Sequence, residues 1–122
     1  MDYDEKRHFV RVDTENVIAY SVLKADGSVD MARSGYVHSK NVSKGGILFS
    51  SFECLTVGVT IQMKLRFCSK PSHNETVAMI GNVVRTNECI AGKKWDIGVK
   101  IKYIEQAKEE IFNNWLNNKL PT

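Results

Sequence analysis

The stretch Val57-Gly58-Val59-Thr60-Ile61-Gln62-Met63-Lys64-Leu65-Arg66-Phe67-Cys68 decides the fold. Val57, Val59, Ile61, Met63, Leu65 and Phe67 alternate with Gly58, Thr60, Gln62, Lys64, Arg66 and Cys68. A period of two places one set of side chains on a dry face and the other on a wet face, which is the pattern of a half-buried strand. Ser69-Lys70-Pro71-Ser72-His73-Asn74 then supplies turn chemistry.

The same period spreads outward. A strand is expected over Thr76 to Thr86, with Gly81 inside it marking a bulge or a close backbone approach. Asn87 to Lys94, with Gly92, reads as a loop. Trp95, Ile97, Val99, Ile101 and Tyr103 then alternate with Asp96, Gly98, Lys100 and Lys102. Upstream, Asn16 to Lys24 reads as a strand, and Asp26-Gly27 is a strong turn dipeptide. Gly35 to Lys40 and Gly46 to Ser50 read as two short strands around a turn. About six strands at short spacing predict an all-β fold, a small antiparallel barrel or sandwich; closure removes exposed sheet edges.

The period changes at the C-terminus. Ile104, Ala107, Ile111, Trp115 and Leu116 recur at helical spacing, Glu105, Glu109 and Glu110 lie toward the helix start, and Pro121 closes it. This amphipathic helix is expected to pack on the barrel, or to serve a homodimer contact.

Composition narrows the function classes. The chain has 122 residues, 43% hydrophobic and 25% charged, which is one ordinary globular domain and excludes a disordered chain. No apolar run reaches the roughly 20 residues of a membrane helix. The start Met1-Asp2-Tyr3-Asp4-Glu5-Lys6-Arg7 has no apolar core, so no secretory signal is expected, and the cysteine usage fits a reducing cytoplasm. Cys54, Cys68 and Cys89 are odd in number and widely spaced, which argues against a disulfide framework or a zinc site and predicts small buried or half-buried thiols. The net charge of +3 is too small to imply nucleic acid by itself. Single-strand binding needs exposed aromatics among basic residues, whereas Phe67, Trp95 and Tyr103 fall on the alternation's apolar side, so neither DNA nor RNA is expected as a partner. The motifs HExxH, GxSxG, GxGxxG and the phosphate-binding GxxxxGK[ST] are all missing, and no enzyme is expected.

Two short patterns remain. Arg7-His8-Phe9-Val10-Arg11 is an RxxxR preceded by Lys6, and Asn41-Val42-Ser43-Lys44-Gly45-Gly46 is a [DN]xSxxG. Each alone is also an ordinary sequence: a solvated basic segment, and a turn in which Asn and Ser bond local backbone. In this order, over nearly the whole chain, they resemble the PilZ domain family of cyclic di-GMP receptors. Gly81-Asn82-Val83-Val84-Arg85 and Trp95-Asp96-Ile97-Gly98-Val99-Lys100-Ile101 also match that family's strand patterns, with Ile101 where Phe is usual.

The resemblance implies a six-stranded antiparallel β-barrel with a C-terminal α-helix. It implies an N-terminal arm over residues 1–15 that carries RxxxR, followed by barrel and helix over residues 16–122. The ligand would be cyclic di-GMP, held by Arg7, Arg11, Asn41, Ser43 and Gly46, with Lys6, Lys44, Gly45 and Arg85 as further candidates. Lys6 bears on whether one ligand or a stacked pair binds. Arginine suits this ligand because its fork matches phosphate oxygens and the guanine O6/N7 edge. Asn41 and Ser43 would read a guanine edge, and Gly45 and Gly46 would admit the purine closely. No metal, no other cofactor and no membrane insertion are implied. Output would pass to a separate protein of the motility, pilus or exopolysaccharide machinery. The alternative is an adaptor of the same fold with little nucleotide affinity.

Overall fold

The computed structural model describes residues 12–13, 16–70 and 73–119. Seven strands and one helix follow in chain order: β1 (Val12–Asp13), β2 (Val17–Leu23), β3 (Val29–Val42), β4 (Gly46–Ser51), β5 (Thr60–Lys70), β6 (His73–Ile90), β7 (Lys94–Ile104) and α1 (Gln106–Lys119). Six of them form a closed antiparallel ring in the order β3-β2-β5-β6-β7-β4, with β4 pairing back onto β3. The expected six-stranded barrel with a C-terminal helix is thus present. The two-residue β1 is an addition to the ring, paired beside the end of β3.

Alternation builds the interior. Ile61, Met63, Leu65 and Phe67 of β5 are buried, as are Ile18 and Tyr20 of β2 and Ile97 and Val99 of β7. Burying each large aliphatic side chain contributes about 1.5–3 kcal/mol. One ion-paired group stands at the barrel wall. The Tyr20 hydroxyl donates to Glu53 Oε1 at 2.7 Å, and Arg33 Nε donates to Oε2 at 2.7 Å. Burial first, then the hydrogen bond to Glu53, pushes the Tyr20 phenol up to about 12.

The helix closes one end of the barrel. Phe112, Trp115 and Leu116 are buried, and Phe112 and Trp115 pack against Phe67 with ring centroids 5.9 and 5.2 Å away. Outside this contact, Lys108 Nζ lies 2.7 Å from Glu75 Oε1 and ties α1 to β6. The apolar stripe therefore packs on the barrel through Phe112, Trp115 and Leu116, as expected, while Ala107 is exposed. Its membership differs from the expected one: Ile104 ends β7, and Phe112 is the aromatic that the periodicity did not single out.

Several expectations need correction. Asn87 to Lys94 is not a loop, because β6 runs to Ile90 and β7 resumes at Lys94. β6 runs on beyond the end of β5, whose first pair is Thr60–Asn82, and residues 84–90 are wet on both faces apart from half-buried Thr86, so no alternation marks them. The strand expected from Val57 begins at Thr60, and Val57 is exposed. All three cysteines are exposed rather than buried or half-buried. Tyr103 is 72% exposed and does not face the core. Asp26-Gly27 makes the expected turn, with Gly27 at φ 87°. Among the described residues, no helix is long and apolar enough to cross a membrane.

Candidate functional site

The turn between β3 and β4 is held by Ser43. Its hydroxyl accepts the N–H groups of Gly45 (3.2 Å) and Gly46 (3.1 Å) and donates to the Gly46 carbonyl (3.2 Å). The Ser43 N–H donates to that same carbonyl at 2.9 Å. A serine that satisfies its neighbours' backbone in this way fixes the turn's shape. Ser43 is 9% exposed, so its hydroxyl belongs to the turn.

Gly46 has a steric role. It pairs with Lys100 across the β4–β7 ladder, and a Cβ there would lie 2.8 Å from the Val99 carbonyl oxygen. Gly81 does the same from the other side, where a Cβ would lie 2.6 Å from the Lys100 carbonyl oxygen. The register also shifts at Gly81, so it is both a bulge and a close approach, as expected. The Gly45 carbonyl accepts the Ile101 N–H at 2.9 Å, pinning the turn to β7.

Register then assembles a surface on the outside of the barrel. Asn41 of β3 faces Leu48 of β4, Leu48 faces Gly98 of β7, and Gly98 faces Arg85 of β6. Paired residues share a sheet face, so these four form one row across four strands, about 14 Å from end to end. A Cβ on Gly98 would touch the Arg85 Cβ at 3.4 Å and its Nε at 3.8 Å. The Arg85 side chain therefore lies over the bare backbone of Gly98, and among the described residues it has no ion pair. The neighbouring row is Gly46, Lys100, Asn82 and Thr60.

The other edge of this surface is electrically closed. Lys40 Nζ lies 3.1 Å from Asp96 Oδ2, and Ser50 Oγ donates to Asp96 Oδ1 at 3.1 Å. Burial acts to raise the Asp96 carboxyl, but hydrogen bonds from Lys40, Cys89 and Ser50 outweigh it and hold the group below the usual carboxylate range. Lys40 spends its charge on this pair, whereas Lys44 is exposed on the turn with no acidic partner among the described residues.

Arg7, Arg11 and Lys6 lie outside the described residues. What the structure gives of that region is β1, with Val12 opposite Val42 and Asp13 opposite Asn41. Arg11 is one peptide bond from Val12, so the chain enters the barrel beside the Asn41–Gly46 turn.

Solved structures share this architecture. The PilZ domain with c-di-GMP of YcgR from Escherichia coli superposes with a TM-score of 0.62 at 9% identity, covering 93% of this chain and 91% of that one. The chain has the fold of a PilZ domain. Two further matches are the Bacillus subtilis inhibitor of motility MotI/DgrA and K. pneumonia MrkH in its apo state. For MotI/DgrA the TM-score is 0.65 at 17% identity, covering 93% of this chain and 53% of that one. For MrkH the TM-score is 0.58 at 12% identity, covering 98% and 51%. This PilZ fold thus spans about half the length of those two proteins. No family model and no curated protein matches the sequence.

Proposed function

We propose that this PilZ-fold chain is a cyclic di-GMP-binding adaptor and not an enzyme. The observation that carries the reading is the register of β1, which brings the residue after Arg11 alongside Val42, within the Asn41–Gly46 segment. That register supports reading the two motifs as parts of one site. The YcgR domain of the same fold is recorded with c-di-GMP, which supports the ligand class. Arg7 and Arg11 bind the phosphates and the guanine edge, and Asn41 accepts from the guanine N–H donors through its amide oxygen. Ser43, Gly45 and Gly46 act through the shape of the turn. Arg85 closes the row from β6, and Lys44 adds positive potential. Lys6 sets whether one ligand or a stacked pair is held. Binding orders the arm across the barrel face, and the changed surface is read by a separate protein in the cytoplasm, of the motility, pilus or exopolysaccharide class.

Calorimetric titration with cyclic di-GMP tests this. Wild-type protein is expected to bind at micromolar concentration or below, and Arg7→Ala is expected to abolish the heat. Asn41→Asp, which restores a charged acceptor, is expected to tighten binding. Absence of heat from folded wild-type protein would leave only an adaptor that works without the nucleotide.

A further inference from the structure

A ligand with two phosphates carries two negative charges, and the barrel face beside Gly98 presents cations that nothing neutralises. Lys100 stands two residues from Gly98 on β7, about 6.8 Å along the strand, and is exposed on the outer face because Val99 and Ile97 point inward. Its row neighbours are Gly46 and Asn82, neither of them acidic. Asn82 turns its amide N–H to Thr60 Oγ1 at 2.8 Å. The acid on this part of β7, Asp96, is held by Lys40 and Ser50. Lys100 has no ion pair among the described residues, and neither does Arg85, which lies over Gly98.

The position is also rigid. The backbone of Val99 and Lys100 is pressed from one side by Gly46 and from the other by Gly81, each at a distance no Cβ would tolerate. The backbone under Lys100 is thereby fixed, and the flexible lysine stem gives the ammonium its reach. On this outer face Gly46 beside Lys100 carries no side chain, and Arg85 reaches over Gly98 toward β7, so an anion can approach both cations.

From this we infer that Lys100 is a ligand-binding residue: with Arg85 it grips one phosphate of the cyclic dinucleotide on the barrel face. This rests on the proposed function and extends it to a residue that neither motif contains.

The test is calorimetry with cyclic di-GMP on wild type, Lys100→Ala, Lys100→Arg and Lys64→Ala, with melting curves as a folding control. Lys64 is an exposed lysine on β5, two strands from β7 in the ring. Loss of one charge-assisted contact is expected to weaken binding about tenfold or more. Lys100→Arg is expected to stay within about threefold of wild type, and Lys64→Ala to bind unchanged. Wild-type affinity in Lys100→Ala overturns this inference and leaves the receptor reading standing. An equal loss in Lys64→Ala also overturns it, by reducing the effect to net charge. No binding by wild type overturns both.

Discussion

Gly46 approaches the Val99 carbonyl so closely that an added Cβ would lie 2.8 Å from the oxygen. Backbone on both sides leaves no flexible side chain to move away. The glycine that ends the Asn-x-Ser-x-x-Gly pattern is therefore required by barrel closure, whatever the ligand. Gly46→Ala is expected to cost about 2 kcal/mol through strain between β4 and β7. Thermal melting without ligand measures it, and an unchanged melting temperature would show that the strands part without cost.

The packing of Phe112 and Trp115 on Phe67 predicts that α1 is part of the folding unit. Phe112→Ala leaves a cavity at the barrel end and is expected to cost about 3–5 kcal/mol. Urea unfolding of the variant should show a lowered midpoint with a single transition. A separate early transition for the helix would contradict this.

Glu75 gives the pH dependence a direction. Its hydrogen bond from Lys108, then that with His73, holds the carboxyl below its usual range. A lowered folded value contributes stability above the ordinary glutamate pKa of about 4.3 and loses it as pH falls through the folded value. Glu75→Gln is therefore expected to melt below wild type at neutral pH, with the gap closing under acid conditions. The Lys108 ammonium is raised, first by the same hydrogen bond, so the gap should persist into mildly alkaline solution. A gap that widens on acidification would rule out the pair as its source.

The strands legible in the sequence were those with one wet face. Ile61 to Phe67 announced itself because every second side chain enters the core. The first half of β3 and the far end of β6 did not, because residues 31–36 and 84–90 are largely solvated on both faces. Cys68 falls on the polar side of the alternation, and that pattern was a better guide to its exposure than the usual burial of cysteine. At the site, Asn41 to Gly46 could be read because the Ser43 hydrogen bonds that shape the turn are local. Gly98 and Lys100 could not, because their neighbours are set by register between strands distant in sequence. The one trace is a glycine standing in the middle of a regularly alternating strand.

β1 lies on the same edge of β3 as β2, beyond the point where β2 ends. All six ring strands keep their partners whether or not those two residues are paired. Fold maintenance and the β1 ladder are thus separable, and the barrel's melting temperature can stay indifferent to whether those two residues are paired.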